Sequence, residues 1–124
     1  MKRKHNGFTI VELAIVITVI GILASIGMLS YSALRDRARD TTITTEMIDI
    51  SQQLVTYSLA NNNKYPASLA EIGVTAPDDM TLTYTRTTDY KGYYLIATSG
   101  QQSFSLNHND SAPYKCADTC PPMN

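Results

Sequence analysis

No charged side chain occurs between Glu12 and Arg35, and the stretch Leu13–Leu34 is 22 residues long. A run of that length is sufficient for a helix to cross a bilayer. It constrains everything else, because a chain of 124 residues keeps only about 90 for a globular part once the run and what precedes it are set aside. That remainder can form one small domain and cannot enclose the apolar run. Glu12 lies one helical turn into the apolar segment. A carboxylate there is costly and marks function. Lys2, Arg3 and Lys4 precede it, and by the positive-inside rule they stay cytoplasmic while the rest of the chain lies outside.

The formal charge of the whole chain is −1, but it is unevenly spread. Residues 1–7 carry three basic groups and no acidic ones, whereas residues 8–124 carry seven basic and eleven acidic groups, a net of −4. No basic cluster survives outside the first residues, so a broad nucleic-acid footprint is not expected.

Three readings of the N-terminus compete. An ordinary secretory signal has a shorter apolar region and a small-x-small cleavage site, neither of which fits here. A plain single-pass anchor accounts for the topology but leaves Glu12 unexplained. The third reading starts from the residues Gly7-Phe8-Thr9-Ile10-Val11-Glu12-Leu13: a short basic leader ending in Gly, then Phe, then Glu four residues after Phe, then a long apolar helix. This pattern resembles the class III signal of type IV pilins and type II secretion pseudopilins. The likeness continues through Val19–Ile26 to Tyr31 and covers about the first quarter of the chain.

The resemblance implies that prepilin peptidase cuts between Gly7 and Phe8 and that the new Phe8 amine is N-methylated. Cleavage then creates a cation one turn from Glu12 on roughly the same helical face. In a fibre, the Phe8 amine of one subunit pairs with Glu12 of a neighbour. That pairing offsets a desolvation cost on the order of several kcal/mol per ion and sets the axial register of otherwise smooth helices. A snorkelling Glu12 at the cytoplasmic interface is the simpler rival. One departure from the family is noted: many members place a proline two residues before the tyrosine matching Tyr31, and here that position is Leu29. A proline kink is therefore not carried over.

Arg35–Asp40 marks the exit into water. Beyond it Ile43, Met47, Ile50, Leu54 and Tyr57 recur at 4-3-4-3 spacing, one face of an amphipathic helix. Ile48, Val55 and Leu59 form an offset stripe facing another element or another subunit. One helix is expected from about Phe8 to Leu59, ended by Asn61-Asn62-Asn63. A turn and short helix follow, with Ser68 as N-cap and Glu71 as its capping-box partner. Strands are predicted over Met80–Arg86, Gly92–Thr98 and Gln102–Leu106, separated by turn signals.

Cys116 and Cys120, on the exported side, favour a disulfide. A metal site built from both thiols, His108 and Asp118 has irregular ligand spacing. Asp78, Asp79 and Asp89 offer loop oxygens to calcium, but they form no compact ligand pattern and surface turns are the default. His5 falls in the leader. No phosphate-cradling loop or nucleophile elbow is visible, and an enzyme is not expected.

The expected fold is α+β and type IV pilin-like, a long N-terminal helix packed on a three-stranded antiparallel sheet. The expected organisation is a leader over 1–7, a transmembrane and polymerisation half-helix over 8–34, an amphipathic half over 35–60, and a head over 61–124 with a C-terminal disulfide loop. The expected function is a structural subunit of a type IV pilus-like filament, homopolymeric or mixed. Its expected partners are prepilin peptidase, an assembly ATPase and an inner-membrane platform. It would cross the inner membrane once, head outside, before entering a periplasmic or extracellular filament. A type II secretion pseudopilin, a minor pilin acting in competence or adhesion, and an anchored domain that never polymerises are the alternatives.

Overall fold

The computed structural model describes residues 7–117 and residue 120. One α-helix, α1, runs over Ile10–Ala60. It is followed by a single 3-10 turn, η1 (Leu69–Ile72), and strands β1 (Thr81–Arg86), β2 (Tyr93–Ser99), β3 (Gln102–Asn107) and β4 (Tyr114–Lys115). The chain divides into two units, Met1–Arg37 and Ala38–Asn124.

In the first unit every described side chain is exposed. Its apolar residues surround the helix on all sides, the pattern of a segment that belongs in lipid or among other helices. Leu29 and Gly27 lie within unbroken α-helix. Thr18 and Ser25 return their hydroxyls to the carbonyls of Ala14 and Gly21, four residues back, at 2.7 and 2.8 Å. Their polar groups are thereby satisfied within the helix, which a segment surrounded by hydrocarbon requires.

In the second unit the 4-3-4-3 stripe does what its spacing dictates. Ile43, Met47, Ile50 and Leu54 are buried, and they form one core with Leu95, Ala97, Phe104 and Leu106 of the sheet. Tyr57 is only half-buried, and the last buried position on α1 is Ser58. The offset residues Ile48, Val55 and Leu59 remain exposed within the single chain.

The helix ends where the asparagines allow it. Asn62 and Asn63 adopt left-handed φ values of 58° and 57°, which asparagine tolerates better than most residues. The side-chain amide of Asn61 donates to the Tyr57 carbonyl at 2.8 Å.

The sheet is antiparallel in the order β1-β2-β3-β4. It has four strands rather than three. The extra one is only two residues long and pairs Lys115 with Phe104 and Tyr114 with Ser105. Two residues are too few for an alternating pattern to show. The expected short helix is a 3-10 turn, and Ser68 makes no side-chain capping bond. Glu71 instead accepts from the Ala67 N–H at 3.1 Å and the Tyr57 hydroxyl at 3.2 Å, which ties the turn back to α1. The β2–β3 hairpin closes through Gly100 at φ 61°, the left-handed region that glycine occupies without steric cost.

Candidate functional site

The N-terminal residues converge on Glu12. The N–H of Thr9 donates to Glu12 Oε2 at 3.1 Å, and the N–H of Glu12 donates to Thr9 Oγ1 at 3.2 Å. The Thr9 carbonyl accepts the first helical bond, from Leu13, at 3.1 Å. Thr9 is thus the N-cap and Glu12 the third helical residue of a reciprocal capping box. The sequence carried this signal as Thr-x-x-Glu, and the reading of Glu12 as a charge without a partner overlooked it. The box places the carboxylate at the positive end of the helix dipole, where it accepts from the Thr9 N–H. Phe8 is 92 % exposed. Residues 1–6 of the leader lie outside the described residues.

The two sulfurs of Cys116 and Cys120 are bonded, with the Cα atoms 5.0 Å apart. The Cys116 N–H donates to the Ser103 carbonyl at 2.8 Å, and Lys115 Nζ lies 3.1 Å from Asp40 Oδ2. The C-terminal segment is therefore fastened to β3 through its backbone and to α1 through an ion pair. With both thiols consumed, no thiolate remains for a metal. Asp118 lies outside the described residues, as do Pro121 and Pro122. Among the described residues no three His, Cys, Asp or Glu side chains cluster. Asp78 and Asp79 sit in the turn before β1, apart in sequence from Asp89 in the β1–β2 loop.

That loop is tightly bonded. The Thr87 hydroxyl donates to Asp89 Oδ1, and the Lys91 N–H donates to the same oxygen at 3.1 Å. These bonds, the Thr87 hydroxyl first, hold the Asp89 carboxyl below its ordinary value. At the loop's end Gly92 abuts the His108 ring so closely that an added Cβ would lie 2.6 Å from it. Beside the loop, Tyr65 meets Tyr93 edge-on with centroids 4.9 Å apart, and Tyr84 stacks on Tyr93 at 6.1 Å. Burial pushes the phenols of Tyr84 and Tyr93 up to about 12. The Tyr84 hydroxyl donates to the Pro66 carbonyl at 2.8 Å.

An open groove of about 600 Å³ lies between α1 and η1, with Asp49, Gln52, Tyr57 and Glu71 among its walls. Glu71 is occupied by its bonds to Tyr57 and Ala67. Desolvation first, and then the Glu71 charge, raise the Tyr57 phenol above its ordinary value.

Among the described residues, one helix is long and apolar enough to cross a membrane. Residues 2–28 match the family model described as the prokaryotic N-terminal methylation motif. The chain is 29 % identical over 73 residues to a type II secretion system core protein G of Dickeya chrysanthemi, covering 59 % of this chain and 47 % of that protein. It is 37 % identical over 70 residues to the type IV wide pilus major component PilA4 of Thermus thermophilus, covering 56 % and 53 %. It is 30 % identical over 102 residues to a type IV major pilin protein PilE1 of Neisseria gonorrhoeae, covering 79 % and 59 %. The chain spans about half the length of the curated relatives it matches. No solved structure gives a significant match. The methylation motif, the apolar first half of α1 and these relatives make the chain similar to type IV pilins and type II secretion pseudopilins.

Proposed function

We propose that this chain is a structural subunit of a type IV pilus-like filament. Prepilin peptidase cuts it between Gly7 and Phe8, and the new Phe8 amine is methylated. Before assembly the uncharged segment of α1 crosses the cytoplasmic membrane with the head outside. An assembly ATPase and its membrane platform then move the subunit into the filament. The role involves no catalysis and needs no cofactor.

The observation that carries this reading is the exposed apolar surface of Leu13–Leu34 next to a capped Glu12. An apolar surface that wraps a whole helix needs lipid or other subunits around it. A carboxylate accepts more than one hydrogen bond, so Glu12 can keep the Thr9 N–H and still receive the Phe8 ammonium of a neighbour. The charge cost in the fibre interior is then shared between two donors, and pairing is possible at one axial register only.

A type II secretion pseudopilin is the second reading, favoured by the several relatives named as core protein G of that system. Shearing the cells and sequencing the N-terminus of the released protein by mass spectrometry separates the two. Abundant released filaments starting at methylated Phe8 are expected for a pilin. Processed protein confined to the envelope selects the pseudopilin, and an intact residue 1–7 leader in assembled material sinks both. Glu12→Ala is expected to insert normally in the membrane and to enter filaments poorly.

A further inference from the structure

Residues 61–124 contain four basic side chains, Lys64, Arg86, Lys91 and Lys115. Lys115 is paired with Asp40. The other three gather where the chain leaving α1 meets the β1–β2 loop, around Tyr90. The Arg86 guanidinium carbon lies 4.4 Å from the centroid of the Tyr90 ring, and Lys64 Nζ lies 5.9 Å from it. Lys91 follows Tyr90 directly, and both lysines are exposed. The two carboxylates nearest this corner in the chain are engaged locally. Asp89 accepts from the Thr87 hydroxyl and the Lys91 N–H, and Glu71 accepts from the Tyr57 hydroxyl and the Ala67 N–H. Arg86 spends one donor on the Tyr65 carbonyl, at 3.1 Å. A guanidinium has five, which leaves capacity for an external carboxylate.

A turn of opposite charge lies at the other end of β1. The segment Pro77-Asp78-Asp79 leads directly into the strand and closes through the Met80 N–H on the Pro77 carbonyl, at 3.0 Å. Asp78 and Asp79 are exposed. The register keeps the two ends apart, because Thr81 pairs with Thr98 and Arg86 with Tyr93. A six-residue strand spans about 20 Å, so the cations and the carboxylates of one chain do not meet. The basic groups level with the acidic turn sit across the sheet from β1, which is an edge strand. Arg39 reaches the β2–β3 turn, and Lys115 is held by Asp40.

The separation runs along α1. Tyr93, at the start of β2, lies beside Ser51. At the far end of β2, a Cβ added to Gly100 would lie 2.5 Å from Arg39 Nη1. β2 therefore runs back along α1 from residue 51 towards residue 39, and antiparallel β1 runs the opposite way. The acidic turn is thus level with the start of the second unit, and the basic corner with the C-terminal end of α1. Complementary patches at opposite ends define a heterologous contact, which builds an open helical polymer when its rotation does not close. A two-fold dimer through either end would instead set like charges against each other. The geometry points to a contact between copies in which Lys64, Arg86 and Lys91 of one head receive Asp78 and Asp79 of the next. This inference rests on the filament reading above and adds a polar contact between heads to the apolar contact between helices. Single exposed ion pairs are weak, but this one repeats at every subunit and opposes misaligned neighbours.

Carbodiimide coupling joins an amine to a carboxylate only where the two touch. Applied to assembled parent chain, sheared from the surface or held in the envelope, it is expected to join Lys64 or Lys91 to Asp78 or Asp79, read by mass spectrometry of the digest. The length of β1 excludes that bond within one chain. Reversal at one end, Lys64→Glu with Lys91→Glu or Asp78→Lys with Asp79→Lys, is expected to lower entry into assembled material about tenfold or more, because like charges then meet across the contact. Reversal at both ends together is expected to restore assembly. The thermal unfolding of the head is expected to stay unchanged in each variant, which separates lost contact from lost fold. Three outcomes would overturn the contact and leave the filament reading in place: assembled parent without these cross-links, one-end variants that assemble as the parent does, or a both-end variant that stays unassembled. Cross-links from these lysines to other carboxylates, or to another protein, would overturn it too. A parent chain that never assembles would overturn the filament reading and the contact with it.

Discussion

Residues 10–37 and residues 38–60 belong to one continuous α-helix, and their side chains meet opposite fates. In the first segment every side chain is exposed. In the second Ile43, Met47, Ile50, Leu54 and Ser58 are buried. The apolar residues of the first surround the axis, so no single partner surface could cover them. Those of the second lie on one stripe, and one sheet suffices. The backbone geometry is shared, and the angular distribution of side chains decides which environment each segment needs. The contrast also separates two kinds of stability. The second segment is held by the chain's own core, whereas the apolar surface of the first awaits lipid or other subunits.

The sharpest way to break that comparison is truncation of one buried and one exposed residue. Leu54 is fully buried, and Leu54→Ala should cost the head about 2–5 kcal/mol, read by chemical denaturation of the full chain in detergent. Ile20→Ala should change the same transition by less than about 0.5 kcal/mol. Equal losses would show that the two segments fold as one cooperative unit.

Alkaline pH should act on the head alone. The phenols of Tyr84 and Tyr93 are raised from 10.0 to about 12 by burial. A raised acid pKa in the folded state means that the stability is fully present below pH 10 and is lost as the pH climbs towards 12. The thermal midpoint of the head should fall across that window, in step with phenolate absorbance, while detergent-embedded helicity of residues 10–37 persists. A midpoint that is flat to pH 12 would contradict the burial of these rings.

A smaller effect belongs to the start of α1. Thr9→Val removes the hydroxyl that caps the Glu12 N–H, at a cost of about 1 kcal/mol. Amide exchange over residues 10–13 should quicken, with the unfolding of the head unaltered. The smallest change is expected from Lys115→Met. The Lys115–Asp40 pair is partly exposed, at 48 % and 30 % for the two side chains, so its loss should cost at most about 1 kcal/mol. High salt should shrink the difference between parent and variant.

Much of this could be read along the chain. The uncharged run, the buried stripe from Ile43 to Leu54, the three asparagines that end the helix, and the alternation of Leu82 and Tyr84 in β1 all follow from periodicity and local preference. The fourth strand could not, because Tyr114–Lys115 is ordered by pairing with β3 rather than by its own pattern. Glu71 illustrates another limit. Its spacing from Ser68 satisfies a capping rule, yet Tyr57 and the Ala67 N–H, brought near by the fold, claim the carboxylate instead. The capping box at Thr9 and Glu12 was legible too, as Thr-x-x-Glu ahead of an apolar run. The left-handed Tyr90 beneath two cations carried no local signal at all.

The sequence by itself determined the division of α1 into an all-round apolar segment and a striped one, and the position of Glu12 in the first turn of the apolar segment, because hydrophobic periodicity and charge placement are properties of neighbouring residues. Only the tertiary structure decided where Glu71 points, that a fourth strand forms, and that Lys64, Arg86 and Tyr90 share one corner. Each of those depends on groups many residues apart in the chain, whose closeness is set by the sheet and core that bring them together.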